Sequence, residues 1–345
     1  KIFDYLDKAM ELNPNFGDAK YFYGAECSAN AFITMQNYDL TKLKYFYDLA
    51  YKKGAYPDWL LKFGRNILSS CDPEAILSTG VNTDFDVYSY LQLMEGYRTD
   101  ITIMPIGNID RPWYVMFLKK GLPGGVRSVS INLTDAQIMD LHPFKWDTTT
   151  VTIPVPQKVR QKYNLDADYE MHWEVTPDLS SNRYHSKIVG EDAEKRTYLS
   201  PQKAILLQIV EDNFLHRPIF FSNMATPSFY GGLDLYFQYD GLVSELLPFQ
   251  TEGTDYKYNY GKIEQLLQND NFKDYRQIKE YDIPRISRIA LTYHQAVLVL
   301  AGYYRSNDDF AKLAALTEFY QRNMAIGFNP LYEKRVNGLL EKMKQ

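Results

Sequence analysis

The residues best placed to do chemistry follow three short apolar strands, which the sequence predicts at 75–79, 100–106 and 217–223. A helix between the first two strands forms a βαβ unit, which requires parallel strands. Because all three strands are apolar, we expect them to be parallel neighbours in one sheet. Ligands bind at the carboxyl ends of such strands, so the polar side chains there should share one crevice. The residues expected to bind a ligand are Asn82, Thr83, Asp84, Asp86, Asn108, Asp110, Arg111, Ser222 and Asn223.

Two acids in this set, Asp84 and Asp86, lie in the loop after the first strand. Paired carboxyl groups in a cleft serve as general acid and base, or bind a cation. A structural alternative is that one of them caps the helix predicted over 87–97 by accepting its free N–H groups. Both roles are compatible, because a helix N-terminus also favours a bound anion.

Other catalytic patterns are absent from the sequence. The glycines at 121–125 follow a helix and do not form a phosphate-binding loop, and the five histidines have no metal-binding spacing. Cys27 and Cys71 form no CxxC pair, so we expect two buried thiols. The sequence thus predicts no catalytic residue, no metal and no cofactor.

Bulk composition limits the possible partners. At 345 residues, 45% hydrophobic and 23% charged, the chain resembles an ordinary globular protein of two or three units. A net charge of -5 argues against nucleic acid as a partner. No apolar run reaches the ~18 residues that span a bilayer. Any membrane association would therefore depend on a segment outside this sequence.

The hydrophobic pattern divides the chain into three predicted units. Residues 1–72 are helical, and the spacing of Ala9, Pro14 and Gly24 resembles a degenerate tetratricopeptide hairpin. Residues 73–255 form an α/β domain with a β-rich insertion at about 146–199, which includes a polar loop or flap at 178–196. Residues 256–345 form C-terminal helical hairpins. The predicted fold class is α/β: a Rossmann-like, mainly parallel sheet flanked by tetratricopeptide-like hairpins.

Four phrases of the α/β part resemble one known family. They are AILSTG at 75–80, EGYRTD at 95–100, RPIFF at 217–221 and the stretch from GLDLY to Pro248 at 232–248. In order and spacing they resemble the soluble C-terminal domain of Bacteroidetes-type protein O-mannosyltransferase-like membrane glycosyltransferases, over residues 72–250. One departure is Val81, which stands where that family's Gly-Asp-Asn-Asp-Thr loop has its first acid.

The resemblance implies a soluble domain of the periplasm or cell envelope, without a catalytic mechanism, because the membrane-embedded half of the family is missing. We therefore expect a non-catalytic binding or interaction protein with a glycan, a peptide or a protein as its partner. One alternative is a carbohydrate-active enzyme, or a glycosyltransferase accessory domain, that uses Asp84 and Asp86. Another is a scaffold in which the α/β module is only structural.

Overall fold

The computed structural model describes residues 1–80, 83–177, 198–214, 216–225, 227–268, 275–280, 283–327 and 329–344. The predicted loop at 178–196 and the candidate residue Asn82 lie outside these ranges. The protein is a mixed α/β structure in which helices flank a central five-stranded sheet.

The elements are labelled in chain order. The strands are β1 (Ile76–Thr79), β2 (Thr102–Pro105), β3 (Phe144–Lys145), β4 (Thr149–Pro154), β5 (Glu170–Val175), β6 (Tyr198–Leu199), β7 (Ile219–Ser222), β8 (Phe237–Tyr239) and β9 (Val243–Leu246). The helices are α1 (Ile2–Leu12), α2 (Gly17–Gln36), α3 (Leu40–Lys52), α4 (Asp58–Ser70), α5 (Thr83–Glu95), α6 (Pro112–Lys120), α7 (Asp135–Met139), α8 (Gln157–Tyr163), α9 (Pro201–Asn213), α10 (Tyr260–Gln268), α11 (Ile283–Ser306), α12 (Phe310–Asn323) and α13 (Pro330–Met343).

The central sheet has the strand order β2-β1-β7-β9-β8. Strand β1 pairs in parallel with β2 on one side and with β7 on the other, so the prediction of three parallel neighbours is confirmed. All three strands are fully buried, as expected when both faces of a sheet are covered. Their carboxyl ends therefore meet at one edge of the sheet.

The last two strands form an antiparallel hairpin that makes the sheet mixed. The turn between β8 and β9 contains Asp240 and Gly241, and Gly241 has a φ of +106, a conformation that favours glycine. An Asp-Gly pair between apolar runs is a typical hairpin signal.

Helix α5 starts earlier than predicted. It spans Thr83–Glu95, whereas the sequence predicted a helix over 87–97. The prediction treated Asp84 and Asp86 as loop residues, but acids are favoured in a first helical turn by the positive end of the helix. The proposed cap of a helix beginning at Val87 is therefore wrong, since both acids lie within α5.

The N-terminal helices pack against the α/β part. Helix α4 contacts α5 so closely that a Cβ atom placed on Gly64 would lie 2.7 Å from Cγ1 of Val87. Helix α2 packs against α3 and also contacts α5 and α6. It therefore lies over the edge of the sheet where a ligand was expected.

The C-terminal helices reach the same core through α4. The Asn66 side-chain amide donates a 2.9 Å hydrogen bond to the Tyr293 hydroxyl, and the rings of Phe63 and Tyr293 meet edge to face at 5.9 Å. One continuous hydrophobic cluster runs through both helical ends and the α/β part. Within the described ranges, no helix is long and apolar enough to cross a membrane.

The insertion between α7 and α9 contains the antiparallel hairpin β4–β5. Alternate residues of β5 are buried, including Trp173, whose indole N–H donates a 2.8 Å hydrogen bond to the Gly231 carbonyl. This bond ties the hairpin to the segment that leads into β8. Cys27 and Cys71 are buried, free thiols, as expected.

Candidate ligand-binding groove

A groove of about 630 Å³ lies between α2 and the segments that follow β2 and β7. Helix α2 lines it with Ser28, Phe32 and Gln36. The segment after β2 contributes Asn108, Arg111 and Trp113, and Phe229 comes from the loop after β7. The volume falls within the roughly 300–1,000 Å³ range of small-molecule sites.

Aromatic rings form one side of the groove. The ring of Phe32 stacks on Phe85 of α5 at 5.5 Å, and it meets Trp113 edge to face at 6.2 Å. Trp113 in turn lies edge to face with Tyr114 at 5.4 Å. These contacts hold Phe32 and Trp113 in fixed orientations while each keeps part of its surface exposed.

The polar side of the groove contains Asn108 and Arg111. Asn108 is only 6% exposed, and its side-chain amide has no hydrogen-bond partner among the residues described. Arg111 is exposed, and its closest ionic contact is a loose 3.9 Å approach to the carboxylate of Asp110. Burial raises the pKa of Asp110 despite this neighbour, although half of that side chain remains exposed. Both groove side chains thus have hydrogen-bonding capacity left for a ligand.

Asp86 lies beneath the groove. The Ser28 hydroxyl donates a 2.6 Å hydrogen bond to its Oδ1 atom, and Asp86 itself is 3% exposed. Burial raises the pKa of Asp86 to about 8, with a further contribution from the charge of Asp84, while the Ser28 bond opposes the shift. Asp86 is therefore mostly neutral at pH 7.

Thr83 and Asp86 share a separate small cavity under α2. Its volume is about 10 Å³, which holds a single water at most and leaves no room for a substrate. Neither residue lines the larger groove. The structure therefore separates these two predicted residues from Asn108 and Arg111.

Asp84 lies against the end of β1. A Cβ atom placed on Gly80 would be 3.0 Å from the Asp84 Oδ2 atom and 3.3 Å from the Met224 carbonyl oxygen. Glycine at position 80 therefore allows the first turn of α5 to approach the strand end closely. Asp84 is partly buried and does not line the groove.

Ser222 and Asn223 lie at the end of β7 and contact other parts of the sheet. Ser222 is fully buried at the end of β7. The Asn223 amide donates to the Gly241 carbonyl at 2.9 Å, and its oxygen accepts from the Ser244 hydroxyl at 3.1 Å. These bonds hold the β8–β9 turn, so neither side chain faces the groove.

Of the expected ligand-binding residues, the structure thus brings Asn108 and Arg111 together in the groove and places Asp110 beside them. Four other residues that line the groove were not predicted from the sequence: Ser28, Phe32, Trp113 and Phe229. Trp113 could have been found, since it lies two positions after Arg111. The α2 residues gave no such signal, because only tertiary packing brings α2 to the sheet edge.

A second charged cluster centres on Lys262, away from the groove. Its ammonium lies 2.8 Å from Asp240, 3.0 Å from Asp72 and 3.9 Å from Glu245. Burial raises the pKa of Asp240 to about 7, although Lys262 opposes the shift. The described ranges contain no group of side chains that could hold a metal ion, so this cluster is an ion-pair network.

The fold and the groove define a mixed α/β module with helical flanks and a candidate small-molecule site at the carboxyl edge of its sheet. The chain belongs to the TMEM260-associated domain 2 family, whose model matches residues 60–167 and 174–267, more than half of the sequence. This family is linked to O-mannosyltransferase-like proteins, so the general kind of resemblance noted in the sequence is confirmed. No curated protein and no solved structure matches the chain significantly.

Proposed function

We propose that this protein is a non-catalytic binding module that recognises a carbohydrate in the groove between α2 and the sheet edge. The observation that supports this most strongly is the pairing of exposed aromatic surface, from Trp113 and Phe229, with the unused amide of Asn108. A sugar ring has an apolar face of C–H groups and a rim of hydroxyls. Aromatic rings match the face, and amide or guanidinium groups match the rim.

The groove suits a compact ligand better than a peptide or a protein surface. It is a concave site with few polar groups, which is typical of small-molecule binding. A protein interface of standard size would instead bury roughly 800 Å² on each partner. We therefore favour a glycan over the peptide and protein partners that the sequence also allowed.

The enzymatic alternative has weaker support. A glycoside hydrolase needs two carboxyl groups that both reach the scissile bond. Asp86 is buried, bonded to Ser28 and beside a cavity too small for a sugar. Asp84 lies against Gly80 at the end of β1. Neither carboxyl group lines the groove, so catalysis by this pair would require α2 to move away.

The finer assignments from the sequence are part of the same proposal. A Rossmann-like relationship is supported by the parallel order β2-β1-β7, and a tetratricopeptide-like one by the consecutive helices that pack against each other at both ends. Location in the periplasm or cell envelope, in a protein of the Bacteroidetes type, is proposed from the resemblance of the four sequence phrases alone.

A glycan array tests the proposal. The wild-type protein should bind a subset of glycans, and Trp113→Ala should abolish that binding while the protein still unfolds cooperatively. Trp146→Ala is the matched control, because Trp146 lines a different groove, near α9. Absence of binding by folded wild-type protein, or equal loss in both variants, would contradict a carbohydrate site at Trp113.

A further inference from the structure

The groove has an uneven charge distribution. Arg111 is the one charged side chain among the described residues that line it. The remaining lining is apolar, aromatic or neutral and polar. An anion that enters the groove would therefore contact the positive charge of Arg111, and no carboxylate side chain is among the described residues that line the groove.

The start of α6 reinforces this positive character. Helix α6 begins at Pro112, and its N-cap residue, Arg111, provides no side-chain cap. The N-terminus of a helix carries partial positive charge and attracts anions. Since Arg111 and Trp113 both line the groove, this helix end borders it directly.

Asn108 provides the independent observation that a ligand is expected here. Its side chain is about nine-tenths buried, lines the groove and has no hydrogen-bond partner among the described residues. Its amide atoms are not among the fully enclosed polar atoms that lack a partner in the described residues, so they are accessible from the groove, and a ligand oxygen can accept from Nδ2. Guanidinium and amide groups together form the donor set that a carboxylate or phosphate needs.

We propose that the groove prefers an acidic sugar, whose carboxylate or phosphate is bound by Arg111 and Asn108 at the start of α6 while the ring packs on Trp113. This inference rests on the proposed carbohydrate function and specifies its ligand class. Uronic acids carry a carboxylate and sugar phosphates carry a phosphate, and both groups present negatively charged oxygens that accept hydrogen bonds. Asp110, 3.9 Å from Arg111, competes for the same guanidinium and so weakens binding of the anion.

Matched sugars test the preference. Methyl β-D-glucuronide and glucose 6-phosphate should each bind at least about tenfold more tightly than methyl β-D-glucoside, as expected for a charge-assisted contact. Comparing the two acidic sugars then shows whether the carboxylate or the phosphate is preferred. Titration calorimetry or ligand-observed NMR on the full chain measures all three affinities.

Single substitutions show which side chains cause the preference for acidic sugars. Arg111→Gln should reduce the ratio of acidic-sugar to neutral-sugar affinity to about one, and Asn108→Asp should repel the acidic sugars. Asp110→Asn should increase the affinity for the acidic sugars, because it removes the carboxylate that competes for Arg111. Lys120→Gln, at the other end of α6, is the control for loss of a positive charge.

The outcomes separate this inference from the function on which it rests. Equal affinity for glucuronide and glucoside, or an unchanged ratio in Arg111→Gln, would overturn the acidic preference and leave a carbohydrate site in place. Failure of folded protein to bind any of the three sugars, and any glycan of the array, would overturn both.

Discussion

Ser28 of α2 and Asp86 of α5 are joined by a buried 2.6 Å hydrogen bond between residues 58 positions apart in the chain. The bond fixes α2 over the carboxyl edge of the sheet, where α2 forms one wall of the groove. Ser28 also lines the groove, so the link connects the buried acid to the candidate site. We therefore propose that Asp86 holds α2 in place and does not contact a ligand.

The pH dependence of stability tests this role of Asp86. Its pKa is raised from 3.8 to about 8, so the folded protein keeps a proton that the unfolded chain releases near pH 4. The stability associated with this group is complete below about pH 4 and is lost as the pH rises toward 8. Asp86→Asn stays neutral and can still accept from Ser28. Urea unfolding at pH 5, 7 and 8 should show it more stable than wild type at pH 8, by the order of a few kcal/mol.

Asp140→Asn serves as the control, because Asp140 is highly exposed. Its pH profile should match that of wild type. If Asp86→Asn has the wild-type profile as well, Asp86 does not hold a proton in the folded protein.

His294 should produce the opposite trend at acidic pH. Burial lowers its pKa from 6.5 to about 4, and neither ring nitrogen has a hydrogen-bond partner among the described residues. The unfolded chain therefore takes up a proton first, and stability falls as the pH drops from 6.5 toward 4. His294→Phe should remove this acid sensitivity, since a phenyl ring can keep the stacking on Tyr332 at 5.2 Å.

Thermal unfolding between pH 4.5 and 7.5 measures the effect. The exposed His142, replaced by Gln, provides the control. A His294→Phe protein that remains as acid-sensitive as wild type would show that other groups dominate in this range.

Loss of the Lys262 ammonium should lower the free energy of unfolding, because Lys262 pairs with three acids. Lys262→Met leaves Asp240, which is fully buried, without its 2.8 Å partner. Removing one member of a buried ion pair typically costs about 3–5 kcal/mol. Adding Asp240→Asn should recover part of the loss, because the uncompensated charge is gone. Chemical unfolding of the two single variants and the double variant measures the coupling.

Lys8→Met, which breaks the exposed Lys8–Glu11 pair, should change stability little. A comparably small effect of Lys262→Met would mean that water replaces the ammonium at Asp240 without much cost.

Local signals predicted the elements well. The apolar strands predicted at 75–79, 100–106 and 217–223 led correctly to three parallel neighbours. The βαβ rule applies to β1 and β2, which are close in sequence, whereas the pairing of β1 with β7 was inferred from the apolar content of both strands. The start of α5 failed for a local reason, because acids that favour a helix N-terminus were interpreted as a loop.

The groove was only half predictable. Asn108 and Arg111 follow β2 directly, so the rule for parallel sheets pointed to them. Ser28 and Phe32 lie far away in sequence, and only the packing of α2 on α5 and α6 brings them near. The same packing buries Asp86, which polarity alone had marked as a ligand-facing acid.

The central claim is that a sugar binds beside Trp113. Trp59, Trp113 and Trp146 each line a different cavity, and Trp173 is fully buried. The indole N–H resonances in a ¹⁵N spectrum can therefore report which cavity a ligand enters, with Trp113→Phe assigning the key signal. On titration with methyl β-D-glucuronide, we expect the Trp113 resonance to shift while the other three stay in place. A shift at Trp59 or Trp146 instead, or no shift at any indole with the three sugars and with any glycan bound on the array, would contradict a carbohydrate site in the groove.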